Sequence, residues 1–211
     1  MDPHAGQPVV EAGAPLGEGH AVVIMVHGRS AGPANILDLV PRLDRPVLTY
    51  LAPAAANRTW YPYSFMSPAD HNEPGLSSGL SALRRLVERV ERAGIARDRI
   101  VLLGFSQGGC LAAEFAVRHA ARYGGVIVFS GGLIGPPGTA WSYPGTFDGT
   151  PVFMGCSDHD SHVPEERVRE SADVFTYMGA EVTIRIYPDM GHLVSEDELV
   201  HARAVLDAAS R

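Results

Sequence analysis

Short, unbroken apolar runs alternate along this chain with segments of helical period, and few folds accommodate that alternation. Ala21–His27 is a Val-rich run closed by Gly28, and Arg99–Phe105, Gly124–Ser130 and Pro151–Cys156 repeat the pattern. Apolar runs without polar alternation are strands covered on both faces, as in parallel sheets. Val47–Ala52 and Glu181–Tyr187 supply two more strands. Between the runs, Ala34–Leu43, a segment from Gly75 or Leu76 to Ala93, one from Gln107 to near His119, Pro164–Met178 and one from Glu196 to near Ala209 carry helical spacing. The second of these shows it best, with Leu80, Leu83, Leu86, Val87 and Val90 on one face and Gly94 as the stop. The expected architecture is α/β, a mostly parallel central sheet with helices on both faces and no large lid. With 211 residues, 45% of them apolar, the chain reads as a single domain over 1–211. Residues 1–19 form either an N-terminal extension or a short edge strand.

The net charge of −7 argues against a nucleic-acid partner or insertion at an anionic membrane, since both need a basic face. Cys110 and Cys156 are the only cysteines, and a domain of this size needs no disulfide, so both are expected reduced and the compartment cytoplasmic. The first residues carry Asp2, Glu11 and Glu18 but no basic residue, the wrong charge for a secretory signal.

Gly104-Phe105-Ser106-Gln107-Gly108 fits the G-x-S-x-G pattern and lies between a strand and a helix, where that pattern lifts a serine hydroxyl above the strand ends. The plain alternative is a tight strand-to-helix connection; the buried strand before it and the helical Leu111-Ala112-Ala113-Glu114-Phe115 after it favour the nucleophile. A serine hydroxyl needs an imidazole to take its proton and a carboxylate to hold that imidazole. Of nine histidines, two follow the last expected strand, and His192, in Asp189-Met190-Gly191-His192, is the one in the loop directly after it, since His201 falls on the final helix. The acid belongs to the loop after Pro151–Cys156, where Asp158 and Asp160 both qualify. Asp160 is preferred because it lies deeper in the loop, while Asp158 suits a turn cap. Asp158-His159-Asp160-Ser161-His162 also reads as a metal cluster, but no second cluster supports it, so no metal is expected.

Two N–H donors should face the oxyanion: the backbone amides of Gln107 and, from His27-Gly28-Arg29-Ser30-Ala31-Gly32, of Arg29. The alternative for Gly28 and Gly32 is a simple turn. His27 is expected to orient this loop, and the Arg29 side chain to point either to solvent or to an acidic substrate group. The long segment Asn57 to Pro74 is read as a loop. With Gly28, its Trp60, Tyr61, Tyr63, Phe65 and Met66 are candidates to wall a substrate pocket, or else they tack the loop onto the core.

Taken together, His27-Gly28, Gly104-Phe105-Ser106-Gln107-Gly108-Gly109, Asp160-x-x-Val163-Pro164 and Gly191-His192 resemble the phospholipase/carboxylesterase family of small α/β-hydrolases, which includes the acyl-protein thioesterases. The motifs run in order over nearly the whole chain from Ala21. The resemblance implies cofactor-free hydrolysis of esters or thioesters, often by a homodimer. The family's thioesterases look to carry a leucine where Arg29 stands, and Asn57–Phe65 looks like the corresponding segment of bacterial esterases. The expected substrates are therefore small-molecule esters with short acyl or small aryl groups. Lysophospholipase or thioesterase activity is the second reading, and a catalytically silent binding domain the third.

Overall fold

The computed structural model describes residues 2–211; Met1, the first residue of the expected domain, lies outside them. Seven strands form: β1 (Val9–Gly13), β2 (Val22–Val26), β3 (Thr49–Pro53), β4 (Ile100–Phe105), β5 (Gly125–Phe129), β6 (Pro151–Ser157) and β7 (Glu181–Tyr187). They make one sheet in the order β1-β3-β2-β4-β5-β6-β7. Every neighbouring pair is parallel except β1 with β3, where Val9 faces Pro53 across an antiparallel edge.

Two-residue periodicity divides the strand side chains between two cores. Ile24, Leu102, Val126 and Met154 face one layer of helices, α3 (Gly75–Arg92), α4 (Gln107–Arg118) and α5 (Glu165–Tyr177). Val23, Leu103, Ile127 and Phe153 face the other, formed by α1 (Pro33–Leu37), α2 (Val40–Leu43) and α6 (Glu196–Ala209). None of the helices is long and apolar enough to cross a membrane, among the described residues.

The segment expected as one helix over Ala34–Leu43 is broken into α1 and α2. Pro41 is the cause: it has no N–H for the Leu37 carbonyl one turn back, and its ring would collide with that group. The long loop contains two single 3-10 turns, Ala56–Arg58 and Ala69–Asn72, but otherwise keeps its irregular course.

The strand order matters for function. After β2 the chain crosses toward β3, and after β4 it crosses the opposite way toward β5, so the connections leaving the adjacent ends of β2 and β4 diverge. Crevices in open parallel sheets form at such a switch point, outside the carboxyl ends of the strands. Here α4 starts directly over that point. A side chain at Gly108 would overlap the Val26 and His27 carbonyls, and one at Gly104 would overlap the Gly108 backbone. Gly108→Ala should therefore cost about 3 kcal/mol, roughly 6–12 °C in Tm, in a thermal unfolding scan; an unchanged Tm would show that this contact is slack.

Candidate active site

Ser106 stands between β4 and α4 with φ 56° and ψ −125°, a conformation that side-chain-bearing residues rarely adopt. Its N–H donates to Phe129 O at 2.9 Å, which ties the turn to β5. His192 follows β7 on a turn opened by Gly191 at φ 76°. Two bonds from the β6 loop hold that turn: Gly191 N–H to Ser157 Oγ (3.0 Å) and Asp189 N–H to Asp158 Oδ1 (2.8 Å). The imidazole consequently lies with Nε2 2.8 Å from Ser106 Oγ and Nδ1 2.7 Å from Asp160 Oδ2. With Nδ1–H donating to the carboxylate, Nε2 is left free to accept the serine proton.

Asp160 is fully buried on its side chain, and its other oxygen accepts the His162 and Val163 N–H groups at 2.8 and 3.0 Å. The Cys156 thiol adds a weak bond to Oδ2 at 3.7 Å. Burial pushes this carboxyl upward, but the bonds from His192 and the two amides outweigh it and hold the group below the usual aspartate value. Phe105 and His162 pack on the imidazole, their ring centroids 4.9 and 4.6 Å from its own. Neither stood out in the sequence, although both flank motif residues.

Asp158 and His159 come together with Asp189 rather than with Asp160 or His162, their donor atoms within 4.8 Å of one another. The trio is exposed or half-buried, and Asp158 spends Oδ1 on the Asp189 amide and the His159 ring. Its evident effect is to fasten the turn that carries His192.

Gln107 is the first residue of α4, where helix N–H groups lack an intrahelical acceptor. Neither its amide nor that of Arg29 donates to another backbone group. Gly28 brings the second loop against Ser106, since a Cβ there would touch Ser106 Cβ at 3.4 Å. His27 lies beneath, its Nδ1 donating to Gly28 O (2.8 Å) and Nε2 accepting the Ala55 N–H (3.1 Å). Both bonds require the neutral ring, and burial lowers the pKa of this histidine.

A cleft of about 530 Å³ opens above Ser106 and His192, with Tyr61, Phe65, Cys110 and Val163 on its apolar side. Gly28, Arg29, Gln107 and Tyr63 also border it, Tyr63 at 60% exposure. Trp60 and Met66 do not, which corrects the expectation that they wall the pocket. Trp60 is fully buried: its Nε1 donates to His27 O (2.8 Å), its N–H to Gln107 Oε1 (3.0 Å), and its carbonyl accepts His4 Nε2 (2.8 Å). Met66 packs into the core under the loop. The Arg29 side chain takes neither expected course alone, because Nη1 and Nη2 donate to Pro62 O and Tyr63 O at 2.8 and 2.7 Å while the group stays exposed on the cleft. His4, buried from the N-terminal stretch, left no signal in the sequence.

This sheet, with a hydrogen-bonded Ser-His-Asp chain at its switch point, defines an α/β-hydrolase. The model for the phospholipase/carboxylesterase family matches residues 7–210, and the chain belongs to that family. It is similar to a phospholipase/carboxylesterase crystal structure from Dyadobacter fermentans, 38% identical, with a TM-score of 0.91 and 98% of each chain covered. The Bacillus cereus carboxylesterase shares the fold at 18% identity, with a TM-score of 0.78 over 97% of this chain and 95% of that one. Acyl-protein thioesterase 1 of Gibberella zeae is 31% identical over 63% of this chain, and that of Eremothecium gossypii 30% over 69%. The matches span 57% and 64% of those two relatives' own length.

One further carboxyl lies close behind. Glu198, in the first turn of α6, is fully buried against Gly155 of β6. Its Oε2 accepts the Ser195 N–H and hydroxyl in a capping box, while Oε1 has no partner. Burial raises its pKa to about 7 against an ordinary 4.5. Because the folded value exceeds the unfolded one, its favourable contribution is complete below about pH 4.5 and lost as pH rises through 7. Between pH 6 and 9 the Tm of the native protein should fall more steeply than that of Glu198→Gln, which keeps the capping box without a titrating group. Parallel Tm profiles over that range would contradict this.

Proposed function

We propose that the protein is a serine carboxylesterase that hydrolyses short-chain or small aryl carboxylic esters through an acyl-enzyme on Ser106. The observation that carries the reading is the continuous chain from Ser106 Oγ through both nitrogens of His192 to Asp160, 2.8 and 2.7 Å long at its two links. As Ser106 Oγ attacks the ester carbonyl, its proton passes to His192 Nε2, and the Asp160 carboxylate stabilises the imidazolium through Nδ1–H. The carbonyl oxygen, now an oxyanion, accepts the Gln107 and Arg29 amides. Collapse breaks the bond to the alkoxy oxygen, which leaves with the proton from Nε2. Water then repeats the attack on the acyl-enzyme, with His192 again taking a proton, and releases the acid and free Ser106.

The substrate size follows from the cleft. Its volume of about 530 Å³ suits a small ligand, and Tyr61 and Phe65 are among the apolar residues that line it. Tyr61 is itself fixed from behind, since the Gln107 side-chain Nε2 donates to its carbonyl at 2.8 Å. A second reading, thioester hydrolysis, has support in the relatives named acyl-protein thioesterase 1, which are 30–31% identical over part of the chain.

Ser106→Ala should lower kcat by at least ~10³-fold and abolish labelling by a fluorophosphonate probe. Across p-nitrophenyl esters, kcat/KM should peak at short acyl chains. A rise out to about ten carbons, or faster turnover of matched thioesters, would favour the lysophospholipase or thioesterase reading. Unlabelled native protein with no turnover would overturn hydrolysis at Ser106.

A further inference from the structure

The cleft above Ser106 is lined by the Gly28–Ala31 loop. A second depression of about 290 Å³ adjoins it at that loop, and the two share Gly28, Arg29, Ser30, Ala31 and Phe105. Two guanidinium groups border this surface, Arg29 between the two parts and Arg58 in the second. No aspartate or glutamate lines either part.

The arrangement stands in a chain whose net charge is −7. Surface arginines such as Arg84, Arg85 and Arg89 each hold a carboxylate at 2.5–2.9 Å. Arg29 and Arg58 hold none among the described residues, and neither do Arg92, Arg99, Arg122, Arg185 and Arg211, but of these seven Arg29 and Arg58 are the two that line the depressions beside Ser106. Their partners are backbone carbonyls instead: Pro62 O and Tyr63 O for Arg29, Ala31 O at 3.4 Å for Arg58. Carbonyls fix a guanidinium in place without neutralising it. Arg29 donates two of its five N–H groups to them, so three remain for a ligand. Its rotamer is already set, which removes much of the entropy that an exposed arginine loses on binding. An anchored, uncompensated cation beside a nucleophile is what recognition of an anionic oxygen group requires.

We propose that this rim is an anion subsite, and that the natural ester carries a carboxylate or phosphate a few bonds from the carbonyl that Ser106 attacks. Arg29 binds the group directly, and Arg58 adds to the attracting field. The proposal rests on the esterase reading and names its substrate class. Since the Arg29 amide also serves the oxyanion and its side chain holds the Tyr63 wall, the measured quantity is a ratio between two substrates, not a rate.

The test compares mono-p-nitrophenyl glutarate with p-nitrophenyl valerate, which has the same acyl length without the terminal charge. In the native protein at low salt, kcat/KM should favour the glutarate ester by about tenfold, the size of one charge-assisted hydrogen bond. The preference should shrink in 0.5 M NaCl and collapse toward one in Arg29→Gln. Arg58→Gln, outside the catalytic machinery, should reduce it partway. Inhibition of valerate hydrolysis by free glutarate more than by inorganic phosphate would identify a carboxylate subsite, and the reverse order a phosphate one. Turnover of valerate with no preference for glutarate, or a preference that neither variant changes, would overturn the subsite alone. No turnover of either ester would overturn the esterase reading and the subsite with it.

Discussion

The structure depends on a close approach between the first turn of α4 and the ends of β2 and β4. Gly104 and Gly108 allow it, because any side chain at either place would run into backbone. Three consequences follow from this one contact. The chain must turn so sharply at Ser106 that the serine takes a positive φ. The N-terminal amides of α4 are brought to the switch point of the sheet. The loop after β2 is drawn against Ser106, so that Gly28 lies on its Cβ. A serine and two backbone donors thus acquire fixed relative positions before any side-chain bond is counted.

The aromatic loop is ordered differently, by side chains reaching in from other parts of the chain. Trp60 is the centre of that order. It is held by His27 from the β2 end, by Gln107 from α4 and by His4 from the N-terminal stretch. His4 in turn accepts the Ala56 N–H at 3.1 Å and receives support from Ser78 of α3 through its own amide. Each of these Trp60, His27, His4 and Gln107 groups has a partner, although the Tyr61 hydroxyl beside them has none among the described residues, so an irregular segment can be held in place without forming a helix or strand. Arg29 adds the last tie at the surface. The residue after the nucleophile and the residue proposed for the second oxyanion donor therefore also position the pocket wall through their side chains.

Much of this was legible in the sequence because it is local. Val-rich runs announced the buried strands, and glycine and serine spacing announced the nucleophile turn. Loop order after successive strands singled out Asp160 and His192, which the fold brings together across 32 residues. What stayed hidden was contact at long range without a local signature. Trp60 looked like a pocket residue because large aromatics in loops often are; only the fold shows that three elements enclose it. Arg29 could not be oriented, since its acceptors are carbonyls 33 and 34 residues away, and any residue type supplies a carbonyl. His4 was passed over for its place near the start of the chain, which says nothing about burial. The break between α1 and α2 was written in the chain as Pro41, and the helical spacing around it masked the signal.

The two carboxyls buried at the end of β6 show how the site sets its charge. Asp160 and Glu198 are both removed from solvent, and desolvation pushes both upward. Asp160 receives an imidazole N–H and two amides over both oxygens, enough to keep it ionised. Glu198 receives donors at one oxygen only, and its other oxygen has none among the described residues, so burial lifts its pKa to about 7 and it titrates around neutral pH. The carboxylate bonded to His192 is Asp160, a single negative charge matched to the single positive charge that the proposed proton transfer creates there. The donors facing each carboxyl, set against how strongly burial desolvates it, decide which of the two stays ionised.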